Sequence, residues 1–317
     1  SGAVSALQQS DSIVLIAHVT PDADALGSAL ALGVALRTMG KRVQVSVGEP
    51  GFHLPASLSF LPGADLIVEP DAVVMADAVV ACDTASVERL GVLADVVRAA
   101  EVCIAIDHHP TFDGFGTIHV VDPHAPATAA LALRLIDLLD VPLDRDIATA
   151  VYAGLATDTG SFRYESADAD TLRTAARLYE TGFDHSGIAR LLFDDEPFQA
   201  LRVLGIALGN AVLLPDAVGG LGLVYTWIAA ADRPGLSELA MERVIDTVRR
   251  TSEAEVAAVF KQADDGTWKG SLRSKTLVNV GDVARGLGGG GHTRAAGYTS
   301  ALDRDGTIAT LNAALDQ

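Results

Sequence analysis

An α/β fold with a mainly parallel sheet, followed by a smaller α+β domain, is the architecture this sequence predicts. Three observations carry that expectation. Short apolar runs without polar alternation recur in the first half, at Ser12–Ala17, Ala78–Cys82 and residues 102–106. Ala- and Leu-rich helical stretches separate them. The second half loses this rhythm and shows a hairpin signal instead. Continuous apolar strands imply a sheet covered on both faces, which is the signature of parallel α/β packing.

Taken in order, Ser12–Ala17 reads as a strand and residues 24–39 as a helix stopped by Gly40. Arg42–Val47, Ala78–Cys82 and residues 102–106 supply three more strands, with helical segments between them. Helices are predicted at about 125–139, 144–157 and 168–180. Residues 182–209 are mostly helical, and we take 189–209 as the connector between a first domain (1–188) and a second (210–317). In the second, residues 211–214 and 221–228 flank Pro215-Asp216 and Gly219-Gly220, a hairpin signal. A helix at about 237–250, strands at 254–261 and 268–273, and the glycine run 288–291 complete it.

Length and composition agree. A chain of 317 residues predicts two domains, and 49% hydrophobic content is ample for their cores. No apolar run approaches the roughly 18 uncharged residues that cross a bilayer. The opening Ser1-Gly2-Ala3-Val4 has no basic stretch and reads as a cloning remnant rather than a signal peptide. Cys82 and Cys103 both fall in apolar strands, as core residues suited to a reducing cytoplasm.

Net charge is −18 and uneven. Residues 1–214 carry 28 acidic and 12 basic groups; residues 215–317 carry 13 and 11. Residues 267–300 hold Lys269, Arg273, Lys275, Arg285 and Arg294 against Asp282 alone, a net +4. Long duplexes need many Lys and Arg along a track, so this chain does not read as a duplex binder. A small basic patch beside an acidic domain suits a short polyanion.

Acidic and imidazole groups cluster where the apolar runs end. His18, Asp22 and Asp24 follow the first strand, Asp83 the third, and Asp107, His108 and His109 the fourth; Asp158 closes the helix at 144–157. Five Asp and two or three His, with no basic neighbours in sequence, repel unless cations sit between them, and they suffice for two divalent metals. His18 and Asp22 can fold onto one metal while Asp24 faces another, although Asp24 alone would pass for an N-cap. Asp83 alone would pass for a turn residue. The adjacent imidazoles His108 and His109 can supply one metal ligand and one group facing phosphate, with Asp107 orienting a ring. Asp158 sits at a helix C-terminus, which disfavours anions and so invites a cation. Asp22-x-Asp24 also fits haloacid-dehalogenase phosphatases, but that reading leaves His18 and the later clusters without a role.

Together these motifs resemble the DHH phosphoesterase family, named for its Asp-His-His triplet. His18-Val-Thr-Pro-Asp22-Ala-Asp24, Asp83, Asp107-His108-His109 and Asp158 occur in the family's order, and Gly288-Gly-Gly-Gly-His292-Thr-Arg-Ala-Ala-Gly297 resembles the associated DHHA1 domain. The resemblance is greatest to short two-domain bacterial enzymes that degrade very short oligoribonucleotides and dephosphorylate 3′-phosphoadenosine 5′-phosphate, with cyclic di-AMP phosphodiesterases among their relatives. It implies two Mn²⁺ per chain: His18 and Asp22 on one, Asp24, His108 and Asp158 on the other, Asp83 bridging. Mg²⁺, which prefers all-oxygen shells, would serve less well. His109 would contact the scissile phosphate with Asp107 behind it. Arg273, Ser274, Gly291 and His292 would hold the far phosphate, and Arg163 could reach the substrate. It further implies a homodimer acting on short RNA and adenosine nucleotides, with no membrane partner and no long duplex.

Three rivals are weaker. A Mn-dependent pyrophosphatase would end in a Ser-Arg-Lys-Lys-type motif, a processive exonuclease needs a further nucleic-acid-binding fold, and a non-catalytic nucleotide-binding module should have lost ligands. The main alternative is hydrolysis of cyclic di-AMP or its linear dimer.

Overall fold

The computed structural model describes residues 2–232 and 238–316. It divides into two compact units between residues 195 and 196.

The first unit opens with α1 (Gly2–Gln9) and then builds one sheet from β1 (Ser12–Ala17), β2 (Arg42–Val47), β3 (Ala78–Cys82), β4 (Cys103–Asp107) and β5 (Ile118–Val121). The strand order is β2-β1-β3-β4-β5, and every pairing is parallel. Its helices are α2 (Ala23–Thr38), α3 (Ala94–Ala99), α4 (Thr128–Leu138), α5 (Arg145–Asp158), α6 (Ala169–Glu180) and α7 (His185–Phe193). The parallel α/β reading holds. The four-residue edge strand β5 escapes sequence inspection because His119 interrupts its apolar run and glycines precede it. In this strand order the chain leaves β1 and β3 in opposite directions, and ligands in such sheets bind at the carboxyl ends beside that switch.

Helix α2 shows why the interior is apolar on all sides: it is buried along nearly its whole length, between the sheet and α4 and α5. Two glycines allow the close crossing with α5. A Cβ on Gly27 would lie 2.4 Å from the Ala150 carbonyl oxygen, and one on Gly154 would lie 2.4 Å from Asp24 Oδ1. Both cysteines are buried and reduced.

The second unit contains α8 (Phe198–Gly209), β6 (Val212–Leu214), the single turn α9 (Ala217–Gly220), β7 (Leu223–Ile228), α10 (Glu238–Val248), β8 (Val256–Gln262), β9 (Trp268–Ser274), α11 (Val280–Gly286), β10 (Gly290–Gly291), β11 (Ala295–Ser300) and α12 (Arg304–Leu315). Its sheet order is β10-β11-β9-β8-β7-β6, mixed, with β7–β8 parallel. The hairpin signal corresponds to antiparallel β6–β7 pairing. Position 237, the expected start of α10, lies outside the described residues. Residues 189–209 fall in α7, which belongs to the first unit, and in α8, whose Val203 and Ala207 are buried in the second unit's core. Trp268 is buried, and Trp227 is half-buried beneath the Arg304 guanidinium at 4.7 Å. Among the described residues no helix is long and apolar enough to cross a membrane.

Candidate metal centre

The first unit gathers His18, Asp22, Asp24, Asp83, Asp107, His108, His109 and Asp158 at the carboxyl ends of β1, β3 and β4 and the adjoining ends of α2 and α5. Three trios emerge: His18, Asp22 and Asp83; Asp24, His108 and Asp158; Asp83, Asp107 and His109. In each, one ligand atom per residue lies within 4.8 Å of the others. Asp83 belongs to two of them. Its Oδ2 lies 3.7 Å from His18 Nε2, and its Oδ1 lies 3.7 Å from His108 Nε2 and 3.8 Å from His109 Nδ1.

Backbone geometry at β3 aims that carboxylate. Asp83 has φ +59°, a left-handed conformation disfavoured for a non-glycine residue and held here by its N–H bond to the Ile106 carbonyl. Asp22, half-exposed, is the N-cap of α2 and accepts from the Asp24 and Ala25 N–H groups. The sequence-based N-cap reading of Asp24 therefore belongs to Asp22. Asp24 is completely buried in the first turn of α2, and its two oxygens accept from the Thr128 and Ala129 N–H groups at 2.7 and 2.8 Å. Helix α4 has no capping side chain of its own. Its orphan donors are satisfied by this remote carboxylate instead.

The imidazoles are oriented through Nδ1. His108 Nδ1–H donates to the Ala125 carbonyl at 3.2 Å, which turns Nε2 toward Asp158 at 3.1 Å. His109 Nδ1–H donates to Asp107 Oδ1 at 2.7 Å. The other Asp107 oxygen is buried without a hydrogen-bond partner. His18 Nδ1 lies 2.8 Å from the Val19 carbonyl and 3.0 Å from the Arg89 guanidinium.

Crowded carboxylates perturb one another. Burial, then the charges of Asp83 and Asp158, push Asp24 well above the ordinary carboxylate range. Burial also raises Asp158, with Asp22 and Asp83 adding to it, although its side chain keeps 24% exposure. Burial opposes the charged His108 ring, yet the hydrogen bond and charge of Asp158, with Asp24 and Asp83, raise it overall. His18 is raised in the same way through Asp83 and Asp22. Burial works against ionised Asp83 too, but the His18 hydrogen bond and the three rings hold it low. Without a cation, protons on the imidazoles take up the negative charge. Carboxylate and imidazole donors, two of them raised carboxylates and one an orphaned buried oxygen, form a set that could bind divalent metal.

Sequence inspection misses two members of this site. Arg89 brings the cation thought absent; it is the only Lys or Arg between Arg42 and Arg98, the one signal that could have flagged it. Thr128 donates its hydroxyl to Asp83 Oδ1 at 2.8 Å.

The remaining candidates lie elsewhere. Arg163 is exposed, on a turn where Gly160, Ser161 and Phe162 all have positive φ, and its Nε donates to the Gly160 carbonyl at 2.6 Å. Arg273, Ser274, Gly291 and His292 share the β9–β11 end of the second unit, where Ser274 N–H bonds the Arg294 carbonyl. The Ser274 hydroxyl is buried and donates to the Val278 carbonyl at 2.7 Å. The glycine run is no loose turn: Gly290 and Gly291 pair with Gly297 and Ala296.

Comparison with known proteins agrees. The model of the DHH family N-terminal domain matches residues 12–155 and that of the DHHA1 domain residues 220–317. The chain is 35% identical to the bifunctional oligoribonuclease and PAP phosphatase NrnA of Thermus thermophilus, across 92% of this chain and 86% of that one. The chain belongs to the DHH family. It is 29% identical to NrnA of Bacillus subtilis, across 90% and 88% of the two chains. An exopolyphosphatase-related protein from Bacteroides fragilis has the same overall fold, with TM-score 0.89, 25% identity and coverage of 99% and 94%. DHH phosphoesterases depend on divalent metal, and this protein is accordingly a phosphoesterase, a hydrolase of ester bonds.

Proposed function

We propose that this enzyme hydrolyses very short oligoribonucleotides to mononucleotides and converts 3′-phosphoadenosine 5′-phosphate to AMP, in the cytoplasm, as a homodimer, with two divalent ions and Mn²⁺ preferred over Mg²⁺. The likeness to the NrnA proteins along almost the full chain supports the substrate class. The observation that carries the chemistry is the position of Asp83, whose Oδ2 lies 3.7 Å from His18 Nε2 and whose Oδ1 lies 3.7 Å from His108 Nε2. In this reading His18 and Asp22 hold one ion, Asp24, His108 and Asp158 the other, and Asp83 serves both. Bound ions supply Lewis-acid stabilisation of charge developing on the phosphoryl oxygens.

The chain's own groups do the rest. Ala125 fixes the His108 tautomer so that Nε2 is the ligating nitrogen. Asp107 fixes the His109 ring through Nδ1, which leaves Nε2 to face the scissile phosphate and assist the departing oxygen. Arg273, Ser274, Gly291 and His292 form the segment that binds the substrate's anionic end, in which Ser274 holds the turn with its N–H on Arg294 and its hydroxyl on Val278, and Arg163 adds a further contact. Comparing kcat/KM with Mn²⁺ on a diribonucleotide, a 24-nucleotide RNA and 3′-phosphoadenosine 5′-phosphate tests this. High efficiency on the dinucleotide and the adenosine bisphosphate, with little on the long RNA, is expected; equal efficiency on both RNA lengths would overturn it.

A second reading makes cyclic di-AMP or its linear dimer the main substrate. The cyclic-di-AMP phosphodiesterase GdpP of Geobacillus thermodenitrificans supports it, at 26% identity across 93% of this chain and 45% of that protein. Adding both dinucleotides to the same series separates the two.

A further inference from the structure

Thr128 ties together carboxylates that come from separate elements. It is completely buried at the start of α4, 45 residues from Asp83 and 104 from Asp24 in sequence. Its hydroxyl donates to Asp83 Oδ1, and its backbone N–H donates to Asp24 Oδ2 at 2.7 Å. A carboxylate accepting on one chosen oxygen is fixed in rotation. The Thr128 hydroxyl therefore decides that Oδ1 of Asp83 faces His108 while Oδ2 faces His18.

We infer that Thr128 is a positioning residue for the metal centre: through Asp83 and Asp24 it sets the separation and relative orientation of the two ligand sets. This rests on the two-ion reading proposed above. The argument is one of alternatives available to Asp83. Only 3% of that residue is exposed, so water cannot readily replace a lost donor. Without the hydroxyl, the carboxylate would rotate to satisfy both oxygens on the surrounding imidazoles, away from the arrangement that serves two ions. Asp24 keeps its helix N–H donors in any side-chain variant, so the hydroxyl's share can be isolated.

The test is Mn²⁺ titration by calorimetry on metal-free full-length protein, comparing wild type, Thr128→Val and Thr128→Ser. Val matches Thr in shape but cannot donate; Ser restores the donor. Thr128→Ala, which asks less of the surrounding volume, is carried alongside so that the answer does not depend on one variant folding. Groups that orient ligands typically contribute about 10–100-fold in metal affinity, and Val and Ala should lose affinity in that range while Ser stays within about threefold of wild type. The electron paramagnetic signal of a spin-coupled Mn²⁺ pair should weaken in Val and return in Ser. Asp83→Asn is measured in parallel. If wild type binds fewer than two Mn²⁺, or Asp83→Asn binds two as tightly as wild type, the reading in which Asp83 serves two ions fails. If Asp83→Asn loses Mn²⁺ while Val and Ala bind like wild type, the reading stands and the role of Thr128 is overturned.

Discussion

In the first unit the buried carboxylates Asp24 and Asp83 are held by donors from another element, α4, whereas in the second the arginines ride on a segment whose backbone is pinned by one glutamate. Asp24 takes donors from α4, Asp83 from Thr128 and Asp107 from His109. Glu255 instead accepts the Thr276, Leu277 and Val278 N–H groups on its single Oε1, and those bonds lower its pKa against the effect of burial. This fixes the turn that follows Arg273 and Ser274. The Val278 carbonyl then accepts from both Ser274 and Arg294. Placing ions demands fixed side chains in a buried setting. Gripping an anionic end demands a fixed backbone from which long side chains reach.

The comparison breaks most decisively at Asp83. Asp83→Asn should abolish turnover and metal loading together, exceeding the roughly 10–100-fold loss usual for residues one layer further out. Asp22→Asn, at a half-exposed position, should lose less. His109→Ala should keep its metal content, read by elemental analysis, while turnover falls. If His109→Ala loses metal and His108→Ala does not, the roles within the triplet are reversed.

In the second unit, Glu255→Ala should raise KM for short nucleotide substrates about tenfold and leave kcat within about twofold, as expected when remote binding is removed. Metal content should not change. A fall in kcat with unchanged KM would mean that Glu255 acts on the chemistry and that the contrast between the units is wrong.

Glycine substitutions sharpen the claim that backbone builds this segment. Gly291 has φ +138°, and a Cβ there would lie 2.6 Å from the Ala295 carbonyl oxygen and the Ala296 Cα. Nothing lies within 4 Å of a Cβ on Gly290. Gly291→Ala should destabilise the protein by about 2 kcal/mol through strain and overpacking. Gly290→Ala should stay within about 0.5 kcal/mol, the usual range for open surface sites. Equal melting temperatures for the two variants would contradict a close-packed β10.

The sequence makes one kind of feature legible and hides another. A sheet covered on both faces writes continuous apolar runs, and carboxylates at their ends conflict with that burial, so β1, β3, β4 and the acidic and imidazole side chains clustered at their ends can be read directly. The supporting donors leave no such trace. Thr128 lies 45 residues from Asp83, and Arg89 lies 71 residues from His18. Glu255 reads as an ordinary charge until the loop folds over it. Strand β11 contains Ala295, Ala296 and Gly297, residues with little strand preference, and is held by pairing with β9 on one side and β10 on the other. The helix start at α4 offers a usable hint: an expected helix with no Ser, Thr, Asp or Asn in the capping position must satisfy its N–H groups elsewhere.

The smallest expected effect concerns the metal-free protein and pH. His108 and His18 have folded pKa values above their ordinary 6.5, so each contributes stability that is fully present below 6.5 and is lost as pH rises toward the raised value. Asp24 and Asp158 are raised as well, from 3.8, and a folded state that retains protons longer than the unfolded chain also loses stability as pH climbs. Asp83, held low, has the opposite sign, but its window lies below 3.8. Asp158, raised to about 6, loses its contribution below pH 6.5, and above that the raised imidazoles and Asp24 point one way: chelated protein should melt at progressively lower temperature between pH 6.5 and 9. Protein loaded with Mn²⁺ should not follow that slope, because ions replace protons as the counter-charge and binding releases those protons. Calorimetric titration in two buffers of different ionisation enthalpy should detect that release, with tighter binding at higher pH. The second unit carries no comparable cluster among the described residues, so the pH slope should belong to the first unit's site and shrink in His108→Gln. A metal-free melting temperature that rises between pH 6.5 and 9 would show that these imidazoles do not carry the counter-charge.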